Sequence, residues 1–195
     1  MGRGRVVFET AGTVEGEVAD AVARLRQDWP LAVLSRSEAK TAVAVARWLP
    51  PGASASDALC RACLHLSNTH RRRAELDLAS AMMEQAKAAW TSGSQKPALR
   101  AELLWIEGGL LHDLRQLDAA AASFRTAAEL YSSLGDAENR ASILISEGVA
   151  LREAGNPEDA VVPFHQALLA LGSRGNAKLR ISGLQSLCRC LCDLG

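Results

Sequence analysis

"EAGNPEDAVVPFHQALLAL", residues 153–171, indicates a turn followed by a helix start and a long apolar helix. A similar stretch, "DLRQLDAAAASFRTAAELY", occupies residues 113–131. The two stretches belong to a common frame in which a small residue is followed by alanine, phenylalanine and alanine at offsets of 12, 16 and 19. These marks are Gly148, Ala160, Phe164 and Ala167 in one copy, and Gly108, Ala120, Phe124 and Ala127 in the other.

The same frame extends in both directions along the chain. Moving back 41 residues from Gly108 gives Ser67, with Ala79, Met83 and Ala86 at the three offsets, and moving forward 40 residues from Gly148 gives Cys188. Small residues at the first and second marks let two helices approach closely, and the bulky third mark fills the space between hairpins. Because one helical hairpin cannot bury its apolar stripe alone, the pattern predicts stacked copies.

The marks G-x11-A-x3-F-x2-A resemble the tetratricopeptide repeat (TPR), in its long-helix variety of about 40 residues. The resemblance is strong in 101–172, degenerate in 57–90 and half present in 177–195. Leu104 and Leu144 stand where the family often has tryptophan, and Glu107 and Glu147 where leucine is usual. The resemblance implies an all-α fold of stacked antiparallel helical hairpins forming a right-handed superhelix, an α-solenoid. HEAT-type repeats have a similar period and are the structural alternative.

The sequence divides into an N-terminal tail (1–12), a degenerate helical pair (13–56), repeats at 57–97, 98–136 and 137–176, and a partial repeat at 177–195. About nine helices are expected. Asn156 and Pro157 form a favourable helix start, with asparagine as N-cap and proline in the first turn. Pro163 lies inside the same helix, and we expect the helix to continue through it.

The composition favours a globular protein, since 48% of the 195 residues are hydrophobic and the formal net charge is zero. A neutral chain argues against nucleic acid as the main partner, and no apolar stretch approaches the length of a membrane span. The N-terminal stretch "MGRGRVVFETAG" is a poor match to a secretory signal, so none is expected. Its odd number of cysteines, five, indicates reduced thiols, so we expect a cytoplasmic protein.

No short motif for phosphate binding, nucleophilic catalysis, zinc or calcium is found. We therefore expect no catalytic site, cofactor or metal, and a hydrolase or metal enzyme is the least favoured hypothesis. A zinc site would need to join Cys60 and Cys63 to the three later cysteines at 188, 190 and 192, which lie about three hairpins away. The thiols are interpreted as structural, with Cys63 and Cys188 on core marks.

The resemblance also implies a binding surface, because in this family the first helix of each hairpin lines the concave face. The corresponding positions mix basic and apolar residues, which suits an extended peptide with an acidic or carboxylate group. The predicted peptide-binding residues are Asn68, Arg71, Arg72, Trp105, Gly109, His112, Ile145, Val149, Arg152, Gln185 and Arg189. Two alternatives stay open: "HRRR" at 70–73 as a solvated helix end, and Trp105 as a core residue.

The sequence thus predicts a non-catalytic scaffold that binds a protein or peptide on the concave face of a TPR-like solenoid. The alternative is a sensor or regulatory arm of a larger signalling or transcription-regulating protein whose effector domain is not in this chain. The last predicted helix leaves Leu184, Leu187, Cys188 and Leu191 facing two ways, one of them uncovered. We expect either that the natural protein continues beyond Gly195 or that this end associates with another copy.

Overall fold

The computed structural model describes residues 53–173 and 175–195, and every secondary-structure element within them is an α-helix. The seven helices are α1 Ala53–Arg71, α2 Leu76–Thr91, α3 Pro97–Asp113, α4 Leu117–Ser133, α5 Ala137–Glu153, α6 Pro157–Leu171 and α7 Ala177–Leu194. The all-α prediction is confirmed for these residues. The predicted tail 1–12 and the predicted helices of the 13–56 pair lie outside the described part of the chain.

The helices pack in chain order and form two layers. Each helix contacts the next one, and α1, α3, α5 and α7 also contact one another in succession. We call these four helices the odd layer and α2, α4 and α6 the even layer. No two even-layer helices are in contact in the described residues. The odd layer is therefore continuous, whereas, among the described helices, each even helix packs only against helices of the odd layer. No helix among the described residues has both the length and the apolarity needed to cross a bilayer.

The core is built on the repeat marks. Ala120, Phe124 and Ala127 lie at spacings of four and three residues, so they share one helical face, and all three are buried. A Cβ atom added at Gly108 would lie 2.7 Å from the Phe124 ring, and one at Gly148 would lie 2.6 Å from the Phe164 ring. Each phenylalanine therefore packs directly on the backbone of the preceding helix, as the frame predicts.

The first copy replaces this glycine–phenylalanine contact with a polar one. Ser67 is fully buried, and its hydroxyl donates a hydrogen bond of 2.8 Å to the backbone oxygen of Ala79. Met83 occupies the position of the aromatic ring and is also buried. A serine is tolerated at the small mark because its hydroxyl finds a partner on the facing helix.

The last copy departs from the frame. Cys188 was expected on a core mark, but it is exposed, and the buried residues of α7 are Gly183 and Cys190. At Gly108 and Gly148 the following even helix supplies the covering ring. At the equivalent position in α7, Cys188 is not covered by any of the described helices. Leu184 and Leu191 are exposed and Leu187 packs on the core, so the expectation that the apolar residues of this helix face two ways is confirmed.

The turns explain why each odd helix stops where it does. Ala74, Arg115 and Gly155 follow the ends of α1, α3 and α5 with positive φ angles of 60°, 61° and 89°. In each turn the next residue's N–H bonds the carbonyl five residues earlier, as in Asn156 to Leu151 at 3.0 Å. This is the Schellman arrangement, which satisfies the last carbonyls of the helix.

The α6 helix start differs in part from expectation. Pro157 lies in its first turn, but the Asn156 side chain makes no capping hydrogen bond, so that part of the prediction was wrong. Side-chain caps occur instead at Asp136, which accepts from Asn139 N at 3.0 Å, and at Asn176. The prediction that α6 continues through Pro163 is confirmed.

Gly148→Leu should destabilise the fold by about 1–3 kcal/mol, because the new side chain overlaps the Phe164 ring. Ala122→Leu is the matched control, since Ala122 is exposed on α4. Urea unfolding measures both variants. Equal free energies of unfolding for Gly148→Leu and Ala122→Leu would contradict the requirement for a small residue at position 148.

Candidate functional site

A groove with a volume of about 300 Å³ opens on the odd layer, where α1, α3 and α5 meet. Seven of the predicted binding residues line it: Asn68, Arg71, Trp105, Gly109, His112, Ile145 and Val149. Their positions recur from helix to helix, since Asn68, Gly109 and Val149 each directly follow a small mark. The family-derived positions thus come together across three successive hairpins.

Three further residues, Ile106, Ser146 and Phe124, complete the groove. Ile106 and Ser146 both lie two residues before a small mark, so the repeat frame contained a signal for them. Phe124 was assigned to the space between hairpins, yet its ring also reaches the groove from the even layer.

Four predicted binding residues lie outside this groove. Arg72 is exposed at the end of α1, and Gln185 and Arg189 are exposed on α7. Arg152 is half-buried, and its Nη1 donates to Asp193 Oδ2 at 3.2 Å. Five of the predicted residues are basic, and three of them thus lie outside the groove. Only Arg71 and His112 contribute to the groove wall.

Charged side chains connect the odd helices in a regular series, which we call the charge ladder. The first marks of the four copies are Ser67, Gly108, Gly148 and Cys188. In each rung, the basic residue four positions after one first mark lies beside the acidic residue five positions after the next first mark. The rungs are Arg71 Nη1–Asp113 Oδ2 at 2.9 Å, His112 Nε2–Glu153 Oε2 at 3.3 Å, and Arg152 Nη1–Asp193 Oδ2 at 3.2 Å. The His112 contact is between charges when the imidazole is protonated, and it lacks hydrogen-bond geometry.

The Arg71 guanidinium is held in place from three sides. Its Nε and Nη2 atoms donate to Asn68 Oδ1 at 3.3 and 3.0 Å, and its Nη1 reaches Asp113 on the next odd helix. A Cβ atom at Gly109 would lie 3.3 Å from the Arg71 Cζ atom, so the glycine lets the guanidinium lie against the α3 backbone. Arg71 is thus part of the groove wall and is already neutralised by Asp113.

Trp105 belongs to both the core and the groove. Its ring packs edge-to-face on Tyr131, with centroids 6.3 Å apart and an interplanar angle of 89°, while another part of it lines the groove. Such pairs are stabilising beyond their buried area. The two sequence interpretations of Trp105 are therefore compatible.

A second set of ion pairs connects the layers. Glu147 is buried and accepts a hydrogen bond of 2.9 Å from Arg125 Nε, and Glu107 lies 2.7 Å from Lys87 Nζ. Both glutamates stand where the resembled family usually has leucine. Each glutamate is accommodated at this position because a cation on the preceding even helix, Lys87 for Glu107 and Arg125 for Glu147, pairs with it. A polar cavity of about 520 Å³ lies beside Arg125 and Glu147, between α4, α5 and α6.

The cysteines divide by burial. Cys60, Cys63 and Cys190 are buried, whereas Cys188 and Cys192 are exposed. Burial, and next the charge of Glu102, raises the pKa of Cys60, as expected for a structural thiol. The cysteine-bearing helices α1 and α7 make no contact. In the described residues no three histidine, cysteine or acidic side chains come together as a metal site would require.

Comparison with known proteins adds no relative: no family model, curated protein or solved structure matches this chain.

Removing both members of the first rung should reveal a favourable coupling between them. A double-mutant cycle with Arg71→Ala and Asp113→Ala should give about 0.5–1 kcal/mol in the free energy of unfolding, since both side chains are partly exposed. The control cycle pairs Arg71 with Asp118, an exposed residue of α4. The effects of Arg71→Ala and Asp118→Ala on the free energy of unfolding should be additive. A coupling energy near zero between Arg71 and Asp113 would show that this ion pair does not stabilise the fold.

The free energy of unfolding should depend on pH through Glu147. Burial raises the pKa of its carboxyl group above the ordinary value, and the hydrogen bond from Arg125 opposes this rise only in part. The folded state then binds the proton more tightly than the unfolded state, so this contribution is complete at acidic pH and is lost as pH rises through the raised pKa. The stability of the wild type relative to Glu147→Gln should therefore fall between acidic and neutral pH.

Urea unfolding at several pH values measures this difference, with Glu158→Gln on the exposed face of α6 as the control. A difference that is independent of pH, or that grows toward neutral pH, would contradict the assignment.

Proposed function

We propose that this chain is a non-catalytic scaffold of the TPR type that binds a protein or peptide on its odd layer. In this proposal the hairpins form a right-handed solenoid, and the odd layer is its concave face. The observation that carries it is the groove, whose walls come from the same repeat positions on α1, α3 and α5. A surface built by translation of one set of positions suits an extended ligand that crosses several repeats.

The ligand chemistry follows from the groove walls. Trp105, Ile106, Ile145 and Val149 supply an apolar lining, while Arg71 is engaged by Asp113 and Asn68. Because Arg71 and Arg152 already have acidic partners, an uncompensated positive charge no longer supports an acidic ligand. We infer a partner that inserts an apolar side chain, with its neighbouring polar groups near Asn68 and Ser146.

The free cysteines suit a reducing compartment, so the proposal places the scaffold in the cytoplasm. It needs no cofactor and no metal.

Selection from a displayed library of random peptides tests the proposal. Peptides enriched on the wild-type chain should lose binding to Val149→Arg, because the arginine fills the groove with charge. They should retain binding to Leu78→Arg, since Leu78 is half-exposed on α2 in the even layer. Circular dichroism checks that both variants keep their helices and melting behaviour.

Peptides that bind Val149→Arg as well as the wild type would show that the groove is not the binding surface. Failure to enrich any peptide sequence over an unrelated helical protein would count against a peptide scaffold altogether.

A further inference from the structure

The exposed side of α7 carries a heptad stripe. Its members, Ala177, Ile181, Leu184, Cys188 and Leu191, are separated by four, three, four and three residues. This spacing is the a/d pattern by which one helix packs along another. Ile181, Leu184 and Leu191 are 56%, 47% and 50% exposed, and Ala177 and Cys188 are exposed as well. We call these five residues the α7 stripe.

The stripe is not needed to hold α7 on the protein. A different side of the helix does so: a Cβ atom at Gly183 would lie 3.2 Å from Leu168, and the Cys190 thiol donates to Pro157 O at 3.0 Å. Leu179 and Leu187 pack on the core from the same side. The apolar residues of the stripe are thus additional to those that fold the helix.

The charges of α7 indicate which helix would cover the stripe. Lys178 and Arg180 stand in its first turn, which has no acidic residue, and its last turn has no basic residue and holds Asp193, which Arg152 of α5 engages. This is the reverse of the arrangement that the helix dipole favours. A second helix with the same charges, lying antiparallel, brings each basic first turn beside the other helix's C-terminal end and compensates both dipoles.

The apolar layers of such a pair are self-complementary. Ile181 meets the partner's Leu191, and Leu184 meets the partner's Cys188, so each contact occurs twice about a two-fold axis. An isologous interface of this kind closes at two copies.

We propose that the α7 stripe is the interface of an antiparallel homodimer. The proposal is independent of the peptide groove, which lies on α1, α3 and α5.

Sedimentation equilibrium of the full chain over a wide concentration range tests the proposal. The wild type should pass from monomer to dimer with increasing concentration, and Leu184→Glu should remain monomeric. Leu169→Glu is the matched control, because Leu169 is 67% exposed on α6 and outside the stripe; it should dimerise like the wild type. A monomeric wild type, assembly beyond two copies, or equal loss in both variants would overturn the proposal.

A thiol readout detects burial of the stripe even if Leu184→Glu is unstable. With Cys192→Ser, Cys188 is the one exposed cysteine left, since the chain's other three are buried. The alkylation rate of Cys188 in this variant should fall severalfold as protein concentration rises. The alkylation rate of Cys192 in a Cys188→Ser variant should fall less, because Cys192 lies beside the stripe and not in it. Alkylation of Cys188 that is fast at every concentration, or slow even in dilute monomer, would show that no second copy covers it.

Discussion

The close approach of Phe124 to Gly108, and of Phe164 to Gly148, is the constraint on which the rest of the packing depends. A ring less than 3 Å from the position where a Cβ would lie leaves no room for any side chain. The distance between the odd and even helices of a hairpin is therefore set by backbone on one side and a flat ring on the other. Alanines at the neighbouring marks keep the same separation along the helix, and the odd helices are held near enough to contact one another.

Much of this arrangement could be predicted from the sequence, because it depends on spacings within one helix. The burial of the marks in the two strong copies and the continuation of α6 through Pro163 follow from such spacings. The ion pairs could not be predicted in the same way. Arg71 and Asp113 are 42 residues apart, and their meeting depends on the relative shift of two odd helices. The frame also could not show that Cys188 would be exposed.

The groove and the charge ladder share residues, so the basic side chains of the groove wall already have acidic neighbours. Arg71 and His112 contribute their side chains to the groove wall while their basic groups lie beside acidic groups on the next helix. The ladder thus joins neighbouring hairpins at the groove's own edge. For the proposed ligand, an apolar groove bounded by compensated charges implies selection by shape and hydrophobicity more than by long-range attraction, and its binding should depend little on ionic strength.

On each middle odd helix the basic residue of the ladder directly precedes the acidic residue, and this arrangement makes the hairpins equivalent within the ladder. Each middle odd helix gives its acidic residue to the helix before it and its basic residue to the helix after it, as Asp113 and His112 do on α3. A hairpin inserted or deleted in whole copies therefore leaves every remaining charge with a partner. Arg72 occupies the acidic position on α1 and Cys192 the basic position on α7, so within the described residues the ladder runs from Arg71 to Asp193. A change in length by a whole repeat therefore preserves the pattern of ladder contacts between successive odd helices.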